Sequence, residues 1–306
     1  MELLRHRVPA GAKPTSVGRY LEGPLRLSGT LVRRLKMAGG IVLNGEVVRT
    51  THPIKPGDEV VLTLARVDAP NVTPQPMDLA VVYEDEDVVV LSKPAGVVVH
   101  PTAGVYSGTL ANGLAHRWVS RGEPASIHPV HRIDRETSGL VVFARHPLAH
   151  LRLGAQMEAH TMERSYLSLT RGHLAEDAGV VDAPIALRGD HPTARAVRPE
   201  GQQAVTDYEV VERYAAPPGL PPATLVRLRL RTGRTHQIRV HMAHLGHPLL
   251  GDDLYGAERG GIMPRQALHA ETLGFEHPRS GEWTLFQAPW PEDLAPLRAA
   301  YLKWRM

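Results

Sequence analysis

The stretch that most constrains this chain runs from His131 to Phe143: His-Arg-Ile-Asp-Arg-Glu-Thr-Ser-Gly, then Leu140-Val141-Val142-Phe143. Four consecutive apolar residues, mostly β-branched or aromatic, read as a buried strand. Just before them Asp134 stands between Arg132 and Arg135, close to His131, and Gly139 follows a run of small residues. Packing alone does not ask for a carboxylate at the lip of a strand beside a histidine and two arginines. A surface turn with a local ion pair is one reading of this cluster, and a carboxylate held in place to act is the other.

Composition narrows the setting. The chain of 306 residues is long enough for two domains, and 42% hydrophobic content is ordinary for a soluble globular protein. No apolar run approaches the roughly 18 residues that span a membrane. The start, Met-Glu-Leu-Leu-Arg-His-Arg, has no apolar core like a secretory signal, and cysteine is absent, which removes disulfides and thiolate metal sites. A cytoplasmic protein is expected, with a monomer as the default. The net charge of +3 is unevenly spread: residues 1–66 hold 11 Lys and Arg against 5 Asp and Glu, whereas the remainder holds 24 against 27. That asymmetry predicts a polyanion-binding unit attached to a near-neutral body.

In that basic unit, Ser16 can cap a short helix carrying Val17, Tyr20 and Leu21, and Thr30 a second one. The second has Leu31 and Leu35 inward, Arg33, Arg34 and Lys36 outward, and Gly39-Gly40 as its stop. Ile41–Val48 around Asn44-Gly45 predicts a hairpin with a type I′ turn, and Lys55-Pro56-Gly57-Asp58 a turn into a strand at Glu59–Leu64. Three prolines between Ala69 and Pro76 mark an extended linker or strap. The predicted division is 1–66, a linker over 67–77, and a body over 78–306.

In the body, Val88–Leu91 predicts a strand, Pro147 opens a helix to about His160, and Glu163–Thr170 alternates as a strand. Ala204–Val211 and Leu225–Leu230 read as further strands. Gly233 then turns the chain, Thr235 is the expected cap of a helix bearing Ile238, His241, Met242 and Leu245, and Gly246 ends it. The histidines at 236, 241, 244 and 247 have no clustered acid or cysteine beside them to complete a metal site, so none is expected. Residues 258–262 read as a mobile loop, and the last helix, opened by Pro289–Leu294, carries Trp290 and Trp304 as core side chains.

His-Arg-Ile-Asp-x-x-Thr-Ser-Gly resembles the signature of the RluA-type pseudouridine synthases, and three further segments agree in order. Val-Leu-Ser-Lys93-Pro-Ala-Gly is similar to the family's first segment, Arg164-x-Tyr166 to its basic-x-tyrosine strand, and Thr-Gly-Arg-Thr-His-Gln-Ile-Arg239 to a later one. Gly251–Gly256 and Leu268-His269-Ala270 continue the likeness. The resemblance implies an α+β enzyme whose catalytic domain is a mixed, largely antiparallel sheet flanked by helices. It implies that Asp134 is the catalytic carboxylate, that Arg239 pairs with it, and that Tyr166 is the active-site tyrosine. Arg132 becomes the candidate to fill the space left by a flipped base, with His131 beside it as an RNA contact and Lys93 as an RNA or structural contact. Arg164 stands where the family more often has lysine.

Residues 1–66 resemble the RNA-binding module named after small-subunit ribosomal protein four, which makes Arg33, Arg34 and Lys36 candidate RNA contacts. The family's arginine before the second helix is replaced here by Ser28-Gly29-Thr30.

The implied reaction isomerises uridine to pseudouridine within RNA. Bonds broken and made balance, so no cofactor is expected, in keeping with the lack of a Gly-x-x-x-x-Gly-Lys loop or a dinucleotide fingerprint. Large-subunit ribosomal RNA is the favoured partner and transfer RNA the alternative. Two other readings stay open: a non-catalytic RNA-binding assembly factor, and a nucleoside hydrolase, which would want a second carboxylate as general acid.

Overall fold

The computed structural model describes residues 1–64, 71–123, 126–256, 263 and 265–306. The expected mobile loop at 258–262 lies outside the described residues, as does the start of the linker.

The first unit is built as its turn chemistry requires. Asn44 and Gly45 both adopt positive φ (51° and 89°), and strands Ile41–Leu43 and Glu46–Val47 close on them as a type I′ hairpin. Glu59–Thr63 pairs with Ile41–Leu43, and its other edge is taken by Glu2–Arg7. That outer strand was not foreseen. Only Leu3 of it is buried, while Arg5 pairs outward with Glu2 and Glu59, so its apolar alternation is too faint to read.

Two helices cover the sheet. Ser16 caps Val17–Glu22 as expected, but Ser28, not Thr30, caps Gly29–Met37, its Oγ accepting from Leu31 N–H. Val17, Leu21, Leu35, Ile41, Val60 and Leu62 form the core beneath them.

The body is a ten-stranded sheet, antiparallel except at one seam. From one edge the order is Ala178–Asp182, Val205–Tyr214, Ala223–Leu230, Glu163–Arg171, Leu268–Glu276, Ser138–Ala144, Val88–Lys93 and Ala80–Glu84. At the seam Ser138–Ala144 runs parallel to Leu268–Glu276 for two residue pairs only, Ser138 with His269 and Gly139 with Ala270. Beyond that the two strands part and take new neighbours, His128–Pro129 for one and Trp283–Gln287 for the other. Gly139 is obligatory there: it has φ +112°, and a Cβ would lie 2.2 Å from the Ala270 carbonyl oxygen. The seam thus sets the backbone directly after Asp134.

Both faces of the central strands are covered, which explains their unbroken apolar runs. Val89, Leu91, Val141 and Phe143 pack with the helices Leu110–Ser120 and Gln237–His244. Val88, Val90, Leu140 and Val142 pack against Ala149 and Leu153 of the helix Pro147–Glu158. The same helix turns Leu148, with Leu151, into the core of the first unit, so one helix serves both cores.

The described part of the proline-rich segment lies strapped to the body. The Asn71 side chain exchanges two hydrogen bonds with the Ile127 backbone, and the Thr73 carbonyl accepts from Asn112 Nδ2. The terminal segment is a 3₁₀ turn, Glu292–Leu294, then the helix Ala295–Leu302. Trp304 corrects its expected core role, being 41% exposed. Among the described residues no helix is long and apolar enough to cross a membrane.

Candidate active site

A cleft with a cavity volume of about 190 Å³ opens where the His131–Thr137 loop faces the segment entering the helix Gln237–His244. Asp134, Tyr166 and Arg239 all line it.

The Asp134 loop is pinned along its length. The Asp134 carbonyl accepts from Thr137 N–H, closing a tight turn. The Arg135 carbonyl accepts from Gly96 N–H and from Lys93 Nζ, and the Glu136 carbonyl from Arg265 Nη1. Lys93 is therefore placed as the structural alternative had it, and its expectation as an RNA contact is corrected. It is 1% exposed, and its Nζ donates to three carbonyls, of Pro94, Val97 and Arg135, at 2.7–2.8 Å. Burial pulls its pKa down to about 7, opposed by the charges of Glu136 and Asp134. Three acceptors match the three N–H groups of the ammonium form, which fastens the first family segment to the Asp134 loop.

Asp134 keeps its side chain 23% exposed to the cleft, with Oδ2 3.6 Å from Arg239 Nη1. The expected pairing is present, but the planar fork of Arg239 does not hold Asp134. Its Nε and Nη2 donate to the two oxygens of Asp252 at 2.7 and 2.8 Å, a bidentate grip. The Asp252 side chain is fully buried and also accepts from the N–H groups of Leu254 and Tyr255. The Tyr255 ring lies under the guanidinium, 5.0 Å from its carbon. Despite burial, the pKa of Arg239 stays above its ordinary value through Asp252 and then Asp134. Asp252 was missed in the sequence; its only signal was its place in the glycine-bounded segment Gly251–Gly256.

Tyr166 comes from the middle of strand Glu163–Arg171, 4% exposed, with its pKa raised by burial and further by Asp134. It remains a neutral phenol in a pocket whose carboxylate is paired.

His131, expected as an RNA contact, is buried in the wall of the cleft, 9% exposed. Its Nε2 accepts from Val142 N–H at 3.4 Å, and burial with the nearby Arg164 charge pushes its pKa down to about 3. Arg132, by contrast, is exposed on the cleft lip. Arg33, Arg34 and Lys36 are exposed on one helix of the first unit and do not line the cleft.

The helix carrying Arg239 begins differently from expectation. His236, not Thr235, occupies its N-cap, in a left-handed conformation (φ 58°) and without a side-chain capping bond. His236 Nδ1 instead meets Tyr255 Oη at 2.8 Å. His241 is tied by Thr206 Oγ1 and the Ala183 carbonyl, a structural role. Among the described residues one group of three side chains could hold a metal ion, Asp85, Asp87 and His277. Asp87 is already bound by His146 and Arg279, and none of the three lines the cleft.

Comparison with known proteins places this fold and cleft in a family of RNA-modifying isomerases. The family described as RNA pseudouridylate synthase matches residues 87–244, and this chain belongs to that family. A Bacillus subtilis relative, the uncharacterized RNA pseudouridine synthase YlyB, is 44% identical over 273 residues, 88% of each chain. A Xanthomonas campestris relative, ribosomal large subunit pseudouridine synthase D, is 42% identical over 277 residues, 86% of this chain and 81% of its own. The solved structure of human RNA pseudouridylate synthase domain containing 1 superposes with a TM-score of 0.60 at 26% identity, covering 76% of this chain and 91% of that one.

Proposed function

We propose that this pseudouridine synthase acts on uridines of large-subunit ribosomal RNA, with Asp134 as its catalytic carboxylate. The observation that carries the reading is the placement of Asp134. It is the one carboxylate lining the cleft among the described residues, part-exposed, on a loop pinned from both sides and 3.6 Å from Arg239. The cation facing Asp134 is itself gripped by Asp252, so the carboxylate meets a guanidinium held in one place. The favoured RNA follows from relatives named as large-subunit enzymes and from the basic first unit, whose Arg33, Arg34 and Lys36 are free to meet phosphates. We assign residues 1–66 to RNA binding on the same ground.

In the reaction the bond between ribose C1′ and uracil N1 breaks, the base turns, and C1′ bonds to C5. The hydrogen on C5 leaves as a proton and N1 gains one. Asp134 serves as nucleophile or as base in this sequence. The target must leave its stack at a cost of a few kcal/mol. Tyr166 offers a planar, neutral face for any pyrimidine, and Arg132 is exposed at the lip to fill the vacated space.

Release of tritium from RNA labelled at uridine C5 reports the new carbon–carbon bond. Release from ribosomal RNA by wild type and none by Asp134→Asn supports the reading. Release from transfer RNA alone would reassign the substrate.

A further inference from the structure

Three arginines are buried among the described residues, and two are neutralised in the expected way: Arg239 by Asp252 and Arg265 by Asp293. The third, Arg164, is 8% exposed, lines the cleft and has no carboxylate within ion-pair distance among the described residues. Its Nη2 reaches the Leu230 carbonyl at 3.5 Å, a long bond, and its Nε is buried without any acceptor. A buried guanidinium with donors to spare is costly unless something supplies the missing oxygens.

The surroundings repeat the same deficit. Because His131 Nε2 accepts a bond, its Nδ1 carries the hydrogen, and that atom too is buried with no partner. Arg164 Nη1 lies 3.3 Å from where a Cβ on Gly233 would stand, against the loop that leads into the helix Gln237–His244. The N-terminus of that helix has no side-chain cap, and His236 holds a left-handed conformation there. Gly233, Gln237 and Ile238 line the same cleft. This part of the cleft therefore offers donors and positive potential, and a ligand rich in acceptors and without donors answers both. A phosphate is such a group.

We propose that Arg164 and the uncapped N-terminus of the Gln237–His244 helix form a phosphate subsite for the nucleotide being isomerised. Arg164 and Tyr166 are two residues apart on one strand, so their side chains leave the same face. A base stacked on Tyr166 then carries its own sugar phosphate towards Arg164. The subsite rests on the reading of the cleft as the seat of a flipped uridine, and it makes Arg164 a binding residue with no part in bond making.

The test is calorimetric titration of uridine, uridine 5′-monophosphate and uridine 3′-monophosphate into wild type, Arg164→Gln and Arg164→Lys. Wild type should bind one monophosphate at least about tenfold more tightly than uridine. Arg164→Gln should bind all three alike while keeping the wild-type affinity for uridine, and Arg164→Lys should retain part of the preference. Equal binding of all three by wild type, or a full preference in Arg164→Gln, would overturn the subsite. Should Arg164→Gln not fold, an undiminished preference in Arg164→Lys would overturn it and a reduced one support it. Folded wild type that binds none of the three would tell against the cleft's nucleotide role, and the subsite would fall with it. A phosphate preference without tritium release would instead spare the subsite and remove the function reading.

Discussion

Arg239 is gripped by Asp252 and only approached by Asp134: its fork closes on Asp252 at 2.7 and 2.8 Å, while Nη1 stands 3.6 Å from Asp134. The buried pair fixes the guanidinium, and the remaining N–H face is left for the carboxylate in the cleft. Asp134 is thereby oriented without surrendering both oxygens to a salt bridge.

Removing the charge of Asp252 should release that arrangement. Asp252→Asn keeps the shape but frees the Arg239 fork to swing onto Asp134. Urea unfolding should show about 3 kcal/mol less stability, and kcat should fall by roughly tenfold to a hundredfold through misplacement of Asp134. Unchanged turnover in a folded Asp252→Asn protein would show that the grip does not matter to Asp134.

Burial of neutral histidines makes stability pH-dependent. The pKa of His131 falls to about 3, and those of His128 and His269 to about 4, each chiefly because burial disfavours the cation. Between about pH 4 and the unfolded value near 6.5 the unfolded chain binds more protons, so stability falls as pH falls. Each histidine contributes a slope of up to about 1.4 kcal/mol per pH unit. Unfolding free energies measured at pH 7, 6 and 5 should decline accordingly. A flat profile would contradict the burial of these rings.

Arg132 and its neighbours show what the sequence makes legible and what it hides. The run His131–Phe143, the Asn44-Gly45 hairpin and the strand carrying Tyr166 were readable because local chemistry dictates each: a turn needing positive φ, a two-residue alternation, a strand covered on both faces. What stayed hidden depends on residues distant in the chain. Asp252 acquires its meaning only when folded against Arg239, and Lys93 only when the Asp134 loop brings the Arg135 carbonyl to its ammonium. Thr235 looked like a cap because cap residues are recognised by type, yet His236 takes that position under a tertiary tie to Tyr255.

The exposed position of Arg132 predicts a substrate-dependent defect. Arg132→Ala should lower turnover roughly tenfold to a hundredfold on a folded stem-loop, where a base must be unstacked. On a short unstructured RNA the loss should stay under about threefold, since little unstacking is needed. Tritium-release rates on both substrates check this, and equal losses would remove the space-filling role.

The first unit makes a separate prediction about binding. Replacing Arg33, Arg34 and Lys36 by alanine should leave the fold intact, because all three are exposed. The logarithmic salt dependence of RNA affinity should fall by about two to three, one unit or slightly less for each lost phosphate contact. Filter binding across a salt series measures the slope. An unaltered slope would place the RNA path elsewhere.

The central claim is that Asp134 performs the isomerisation, and tritium release from ribosomal RNA labelled at uridine C5 tests it most directly. The account predicts release by wild type and none above background by Asp134→Asn, with RNA binding by the variant retained. Release by Asp134→Asn at a rate near that of wild type would contradict it.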